Sequence, residues 1–318
     1  MRRAVIDIGT NTVKLLVADV SGGQAVPVAA KDRTTRLGQA VDRSRKFLPT
    51  AMARTIQAIQ DYLAEAKGLE ATDFLAVATS AARDAANRDE FFRQVQRECG
   101  LKVELISGER EAELIYRGVS SDPEWSSQPI LVADVGGGSA EFIRGQAANM
   151  ERFQSLPLGA LRLTEKFGQG KFADLCEYLR ATLRDALAGY DAGERRLIAT
   201  GGTITTLGSV CRAAASAGVV PSRQAERLPA SGGAEGDQGL PCNTIDHLQL
   251  SREYVQSLVD QLRAMPLAKR RKVPGLPPER ADIIVAGGAV FAVAMEVLEA
   301  GKLTISVRNL RYGALVAD

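Results

Sequence analysis

Residues 131–139 read Leu-Val-Ala-Asp-Val-Gly-Gly-Gly-Ser, and residues 4–12 read Ala-Val-Ile-Asp-Ile-Gly-Thr-Asn-Thr. Each stretch is an apolar run that carries one aspartate and ends in a turn of glycine and hydroxyl residues. A second apolar run follows each turn, at residues 140–143 and 13–20. Because an apolar strand, a tight turn and another strand form a β-hairpin, the repeat predicts that a hairpin opens each half of the chain.

Short apolar runs alternate with amphipathic stretches after each predicted hairpin, which indicates strands and helices. Helices are predicted near residues 50–68, 87–99, 171–190 and 251–265, and a further helix ending near 299. Strands are predicted at residues 74–79, 102–106, 196–200, 283–286 and 303–307. Strands followed by alternating strands and helices predict an α/β fold, with a mixed sheet and helices packed against it in each half.

The length of 318 residues is typical of two domains. The segment Ser120–Pro129 contains Asp122-Pro123, Ser126-Ser127 and Pro129 and is predicted to be the linker. We therefore expect domains at residues 1–122 and 123–318 that face each other across a cleft. Residues 218–244 are rich in Gly, Pro, Ser and charge and are predicted to form a long surface loop, whose role the sequence leaves open.

Composition excludes several classes of protein. A net charge of +2 is too small to indicate a nucleic-acid or membrane-surface partner. The single histidine, His247, and four cysteines without C-x-x-C spacing leave a zinc site or a Ser-His-Asp triad poorly supplied. Without an apolar run of about 18 residues or a signal-peptide pattern, we expect a cytoplasmic protein with reduced thiols.

The two turns carry residue types that suit phosphate and a cation. Gly136, Gly137 and Gly138 remove side chains from the second turn, so that backbone N–H groups, with Ser139, can approach an anion closely. Asp134 at the preceding strand end is suited to holding Mg²⁺ beside that anion. Taken alone, the three glycines favour a plain hairpin turn over a phosphate loop.

The first turn matches the second in type. Asp7 ends a strand as Asp134 does, and Thr10 and Asn11 follow it in a turn of small residues. The matching pair favours phosphate chemistry over two plain turns. We therefore predict Mg²⁺ at Asp7 and Asp134, and phosphate contacts from Thr10 and Asn11.

Two more segments fit the same chemistry. Gly201, Gly202 and Thr203 follow a predicted strand and open a helical run, where free N–H groups suit an anion. The pair Gly287-Gly288 is given the same interpretation, although close helix packing also explains such glycines. Arg83 follows a hydroxyl-rich strand end and is a candidate phosphate contact or an ordinary surface arginine.

Glu111 is the most informative acidic residue. If Ser107 caps a helix there, a rotation of about 100° per residue places Glu109, Glu113 and Arg117 on one solvated stripe. Glu111 then falls on the opposite, apolar side, with Leu114. A carboxylate in that place either favours the helix dipole or acts as a general base that polarises an attacking water. The pattern alone does not decide between the two.

Taken in order along the chain, these residues resemble the Ppx/GppA phosphatases, exopolyphosphatases and guanosine pentaphosphate phosphohydrolases. The matching segments span nearly the whole chain: 6–12, 36–38, 78–83, 106–112, 114–116, 134–141, 156–160, 201–203, 274–276 and 279–282. The resemblance implies two actin-like (RNase H-like) domains, as in sugar kinases and Hsp70 proteins. It also implies Mg²⁺-dependent hydrolysis of terminal phosphates, with orthophosphate released from polyphosphate or guanosine penta- or tetraphosphate.

The resemblance also assigns roles to individual residues. Glu111 matches the catalytic glutamate, Asp134 an aspartate that positions metal or water, residues 136–139 the phosphate loop, and Arg83 an arginine at the substrate phosphates. The chain departs from the pattern at Arg110, where a second glutamate is frequent, and at Val307, where an aspartate is frequent. It resembles the short form without the C-terminal HD-type domain, which favours a shorter polyphosphate or a nucleotide as substrate.

Other activities of the same fold stay open at this point. A sugar kinase or ATPase is one alternative, and a non-catalytic nucleotide-binding sensor is another. Glu111 disfavours the kinase, and the set of Asp7, Glu111 and Asp134 disfavours the sensor. The sequence also leaves open whether the chain forms a homodimer.

Overall fold

The first hairpin is the centre of a mixed β-sheet. A computed structural model describes residues 1–168, 170–190, 195–216 and 245–317. Its first sheet has the order β3-β2-β1-β4-β5, in which β1 to β3 are antiparallel and β4 and β5 run parallel to β1. The strands are β1 (Arg2–Ile8), β2 (Thr12–Ser21), β3 (Gln24–Thr34), β4 (Asp73–Ala78) and β5 (Val103–Leu105). The predicted hairpin is confirmed, with Ile8 opposite Val13.

Alternation along β1 sends Ile6 and Ile8 into the core and Asp7 to the other face. Helices cover the core face because their apolar residues recur every three or four positions, as at Ile56, Ile59 and Leu63. The helices that follow the first hairpin are α1 (Val41–Ser44), α2 (Pro49–Gly68), α3 (Ser80–Asp84), α4 (Arg88–Cys99) and α5 (Gly108–Ser120), and residues of α2 and α4 belong to this core. The predicted helices near 50–68 and 87–99 are confirmed, while β3, α1 and α3 were not predicted.

The second hairpin starts a sheet of the same plan. Among the described residues its order is β10-β11-β9-β6-β7-β8, with β6 to β8 antiparallel and β9 parallel to β6. The strands are β6 (Pro129–Val135), β7 (Ala140–Gln146), β8 (Asn149–Leu156), β9 (Arg196–Thr200), β10 (Gln249–Ser251) and β11 (Lys302–Ile305). The predicted α/β fold with a mixed sheet in each half is therefore confirmed.

The second sheet is covered by a further set of helices. These are α6 (Ala160–Phe167), α7 (Phe172–Ala186), α8 (Gly201–Ser216), α9 (Arg252–Ala264), α10 (Leu267–Arg270) and α11 (Ile284–Val297). The predicted strand at 283–286 is wrong, because these residues begin α11. Helix α11 is apolar on almost every side and buried, so its sequence lacks the periodicity that separates a buried helix from a buried strand.

The structure also corrects the predicted interpretation of Gly287-Gly288. Both glycines lie inside α11, not in a turn after a strand. A methyl group built on Gly287 would lie 2.8 Å from the Thr203 hydroxyl oxygen, and one on Gly288 would lie 2.7 Å from Val259. The two glycines therefore allow α11 to pack closely against α8 and α9.

The chain divides into two units, and the second division point differs from the prediction. Unit 1 comprises Met1–Ser121 and Arg308–Asp318, and unit 2 comprises Asp122–Val307. The last residues, predicted to belong to the domain at 123–318, instead form α12 (Leu310–Val316) on α5 of unit 1. The helices cross at glycines, since a methyl group on Gly313 would lie 1.8 Å from the carbonyl oxygen of Leu114.

The first boundary between the units, at residues 121/122, falls within the segment predicted as a linker, and residues 122–129 of that segment belong to unit 2. Trp125 is fully buried, and Asp122 is 4% exposed. Asp122 also accepts a hydrogen bond from the backbone N–H of Glu124. The predicted loop at residues 218–244 lies outside the described residues.

Two predictions about the class of protein can be compared with the structure. No helix among the described residues is long and apolar enough to cross a membrane. Cys99, Cys176 and Cys211 are free thiols, and Cys242 lies outside the described residues.

Candidate active site

In unit 1, the β1–β2 turn is held to the start of α3. The Gly9 N–H donates to the Thr12 carbonyl at 3.1 Å. The hydroxyl oxygen of Thr10, a predicted phosphate ligand, accepts a hydrogen bond from the Ala81 N–H at 3.2 Å. Thr10 thus positions the turn, and a phosphate contact from its hydroxyl hydrogen stays a prediction.

Three buried oxygen atoms lie at or near this turn without a hydrogen-bond donor. Within the described residues, they are Asp7 Oδ1, Asn11 Oδ1 and Thr35 Oγ1. Asn11 and Thr35 are neighbours, since the Asn11 carbonyl accepts the Thr35 N–H at 3.0 Å. Leaving such oxygens unpaired costs roughly 1–3 kcal/mol each, so a water or cation is expected to pair with them. Hard oxygen donors of this kind fit the predicted Mg²⁺ at Asp7.

The environment of Asp7 changes its ionisation. Burial raises the pKa of the Asp7 carboxyl above its ordinary value, while the positive charges of Lys14 and Arg311 act in the opposite direction. Lys14 lies directly opposite Asp7 in the hairpin. A charged Asp7 therefore destabilises the protein as long as no cation is bound.

We expect Asp7→Asn to stabilise the metal-free protein at neutral pH. Below its unfolded pKa, Asp7 is protonated in both states. As pH rises through the folded pKa, the unfolded state has already lost its proton, so the wild type loses stability that the variant keeps. Thermal unfolding in a chelator from pH 4 to 8 should show the variant's advantage growing with pH, and added Mg²⁺ should reduce it. An advantage that shrinks with rising pH would contradict this account.

Glu111 and Arg83, predicted separately, form an ion pair within unit 1. Ser107 caps α5 as predicted, accepting the Arg110 N–H at 3.1 Å. Glu111 is 7% exposed, while Glu113 pairs with Arg117 at 2.7 Å on the solvated stripe. Arg83 Nη1 donates to Glu111 Oε2 at 2.7 Å and to the Ile106 carbonyl at 3.1 Å. Arg83 is thus no ordinary surface arginine, because it fixes one oxygen of the carboxylate.

We expect the two residues to be energetically coupled. Arg83→Met removes the positive charge that pairs with the buried carboxylate of Glu111. In a Glu111→Gln background, the same change removes only a contact with a neutral amide. Free energies of unfolding for the wild type, both single variants and the double variant should give a coupling of about 1–2 kcal/mol, allowing for the partial exposure of Arg83. Additive losses would show that the contact does not hold Glu111 in solution.

In unit 2, the glycine loop 136–139 has its carbonyl groups occupied. The start of α6 donates to them, from Ala160 N–H to Gly136 at 2.9 Å and from Leu161 N–H to Gly137 at 3.0 Å. Arg162 Nε donates to the Gly138 carbonyl at 2.7 Å. Close packing requires Gly159 here, because a methyl group on it would lie 2.2 Å from Gly138 N.

The same loop leaves its N–H groups available. In the described part of the chain, the N–H groups of Gly137, Gly138 and Ser139 donate to no protein acceptor. Successive free amides on a loop with bound carbonyl groups form an anion-binding surface. This arrangement supports the predicted phosphate loop.

Asp134 lies against the start of α8. Strand β9 ends at Thr200 and α8 begins at Gly201, as predicted. A methyl group on Gly201, whose φ is +89°, would lie 2.0 Å from Asp134 Oδ1. Thr203 donates its hydroxyl to the Val135 carbonyl at 2.9 Å. Asp134, the glycine loop and the unpaired first N–H groups of α8 are therefore brought together within unit 2.

One functional candidate was not predicted as a site residue. Arg280, in a 3₁₀ turn at Pro278–Arg280, lies against the start of α8. A methyl group on Gly202 would lie 2.2 Å from Arg280 Nη1. A guanidinium group beside a helix N-terminus adds positive charge where an anion binds. The only sequence signal was its place in a segment that matched the family.

The predicted site residues thus form two sets. In unit 1 they are Asp7, Thr10, Asn11, Arg83 and Glu111, and in unit 2 they are Asp134, residues 136–139 and residues 201–203. That both sets line one cavity stays a prediction.

The fold and these sets of side chains define a class of protein: two units of actin-like α/β plan that carry carboxylates and amide-rich loops suited to phosphate and a cation. A model of the Ppx/GppA phosphatase family matches residues 16–318, and the chain belongs to this family.

Individual relatives agree with this membership. The chain is 32% identical to Exopolyphosphatase 2 of Mycobacterium tuberculosis, over 98% of this chain and 97% of that protein. It is 30% identical to Exopolyphosphatase 1 of Mycobacterium leprae, over 99% and 89% of the two chains. The crystal structure of the Aquifex aeolicus Ppx/GppA family member superposes with a TM-score of 0.75 at 29% identity, covering 99% and 96% of the chains.

Proposed function

We propose that this protein is a Mg²⁺-dependent phosphoanhydride hydrolase that releases terminal orthophosphate from inorganic polyphosphate, guanosine pentaphosphate or both. The observation that carries the proposal is Glu111, a buried carboxylate fixed by Arg83 in the first turn of α5. Family membership and the names of the exopolyphosphatase relatives support the substrate class. A cytoplasmic location is part of the proposal.

Glu111 is the proposed general base. Its carboxylate would orient a water molecule and accept its proton as the water oxygen bonds to the terminal phosphorus. The bond from phosphorus to the bridging oxygen breaks at the same time, and the shortened polyphosphate leaves with the electron pair. Arg83, which donates to Glu111 Oε2, would hold the carboxylate in position for this proton transfer.

The loops would hold the phosphoryl group. The N–H groups of Gly137, Gly138 and Ser139 and the start of α8 offer donors that need no rearrangement to face an anion. Asp7 and Asp134 would hold Mg²⁺, whose charge when bound would offset that of the phosphoryl oxygens. In phosphoryl transfer, such positioning and charge stabilisation contribute most of the rate.

The proposed function is tested by orthophosphate release from short polyphosphate, long polyphosphate and guanosine pentaphosphate, each assayed with Mg²⁺ and with chelator. We expect Mg²⁺-dependent release from at least one of them, with the shorter polyphosphate or the nucleotide preferred. Binding of all three without phosphate release would contradict the proposal and favour a sensor. Transfer of phosphate from ATP to a sugar would favour a kinase.

A further inference from the structure

A cluster of three metal-ligating side chains in unit 2 includes none of the predicted phosphate or Mg²⁺ ligands. It consists of Asp122, Asp246 and His247, and one ligand atom of each lies within 4.8 Å of the others. His247 Nε2 is 2.9 Å from Asp122 Oδ2 and 3.9 Å from Asp246 Oδ2. These three residues are called the Asp-Asp-His cluster below.

Backbone N–H groups orient both carboxylates of the cluster. Asp122 Oδ1 accepts the Glu124 N–H at 3.0 Å, and Asp246 Oδ1 accepts the Val307 N–H at 3.0 Å. In both residues the other oxygen, Oδ2, is the one nearer the imidazole. Two carboxylates are therefore held in place by partners outside the cluster, so little side-chain entropy remains to be lost when they bind a ligand together.

The imidazole of His247 is also held in place by its neighbours. His247 has a left-handed backbone with φ of +61°, which is uncommon for a residue with a side chain. Its N–H donates to the Ile305 carbonyl at 2.9 Å. Its ring meets the buried ring of Trp125 edge-on, with centroids 4.7 Å apart. These contacts aim Nε2 at the carboxylates.

The charges around the cluster favour a cation. Asp122 has only 5% of its side chain exposed, and Asp246 has 22%. The nearby Glu124 is neutralised by Arg196 at 3.3 Å. The two carboxylates and the imidazole lie in a poorly solvated place, where the attraction between a carboxylate and a cation is stronger than in water.

We propose that Asp122, Asp246 and His247 bind a divalent transition-metal ion. One imidazole nitrogen and two carboxylate oxygens suit Mn²⁺ or Zn²⁺, whereas Mg²⁺ prefers oxygen ligands alone. The ion would take the place of any proton on Nε2 and draw the three ligand atoms to about 2.0–2.2 Å from itself.

The position of the cluster gives the ion a structural role. Asp122 is the first residue of unit 2, and Asp246 holds the N–H of Val307, which is its last residue. An ion bound by both carboxylates would therefore join the segments where the chain enters and leaves unit 2. We expect the bound ion to stabilise this unit, independently of whether phosphate is hydrolysed.

The test uses the full chain, stripped with chelator and titrated with Mn²⁺ as the probe. The count of bound Mn²⁺ by electron paramagnetic resonance and the shift in unfolding temperature are the readouts. Asp246→Asn and His247→Gln remove one ligand each, and the asparagine keeps an oxygen for the Val307 N–H. We expect each variant to bind Mn²⁺ at least about tenfold more weakly at one site, and to show a smaller Mn²⁺-dependent shift in unfolding temperature than the wild type.

Asp260→Asn is the matched control, because it removes a carboxylate of unit 2 that belongs neither to the cluster nor to the proposed active site and that pairs with Arg263 at 3.6 Å. This variant should keep the Mn²⁺ site and the shift that the cluster confers. Wild-type protein that binds the same number of Mn²⁺ ions as both cluster variants, with equal affinity, would overturn the proposal. A His247→Gln variant that is less stable than wild type by the same amount with and without Mn²⁺ would also overturn it, since the cluster would then be a hydrogen-bonded pair alone.

Discussion

Glu111→Gln is expected to lower kcat for orthophosphate release by about two orders of magnitude or more, which is the usual contribution of a general base. Glutamine keeps the size and the hydrogen-bonding oxygen of the side chain but cannot accept a proton. Because Glu111 is 7% exposed and paired with Arg83, we expect the variant to stay folded. Initial rates at saturating polyphosphate and Mg²⁺ measure the effect.

Glu113→Gln is the control for this substitution. Glu113 lies two residues further along the same helix, on the solvated stripe, where it pairs with Arg110 and Arg117. The same chemical change there should leave kcat within about twofold, since an exposed ion pair contributes little. Similar rates for the two variants would remove Glu111 from the mechanism, and circular dichroism would show whether both are folded.

Gly201→Ala is expected to abolish most activity as well. The added methyl group would lie 2.0 Å from Asp134 Oδ1, on a backbone with φ of +89° that alanine rarely adopts. We expect a loss of about 3 kcal/mol in the free energy of unfolding. We also expect a fall of about 100-fold in kcat/KM, because a displacement of about 1 Å in a catalytic group has effects of that size.

Gly68→Ala separates this effect from a general response to losing a glycine. Gly68 ends α2, has an ordinary backbone, and has no atom within 4 Å of a methyl group built on it. That variant should match the wild type in activity and be at least as stable. Normal turnover in Gly201→Ala would mean that Asp134 need not hold its position beside α8.

Much of the fold could be predicted because local sequence patterns indicate many of the strands and helices in each half of the chain. The Asp-containing apolar runs and glycine turns predicted both hairpins, which are confirmed; their strands pair at Ile8–Val13 and Val135–Ala140 next to the turns. Amphipathic periodicity, which is also a local pattern, predicted α2 and α4. These features depend on residues that are close together in the sequence.

What was missed depends on distant contacts. Helix α12 packs on α5 through Gly118 and Gly313, which lie far apart in the sequence, so the return of the chain to unit 1 has no local signal. Helix α11 was mistaken in part for a strand, because burial on all sides removed its periodicity.

In the site too, local patterns could be predicted, whereas contacts between distant segments could not. Helical rotation alone predicted that Glu111 is buried and that Glu113 and Arg117 are on the solvated stripe, and both are confirmed. The pairing of Arg83 with Glu111 and the place of Arg280 beside Gly202 are contacts between separate segments. Residue type indicated that Arg83 could bind phosphate. Only the three-dimensional structure shows that it contacts Glu111.

We propose that Asp7 and Asp134 both serve the same Mg²⁺-dependent hydrolysis. Rates of Mg²⁺-dependent orthophosphate release from polyphosphate should therefore be compared for the wild type, Asp7→Asn, Asp134→Asn and the double variant. We predict that each single variant loses about 100-fold or more in kcat/KM, and that the double variant is within about threefold of the worse single variant, because groups that act as a unit are not additive. Losses that multiply in the double variant would show that the two aspartates act independently and would contradict the claim.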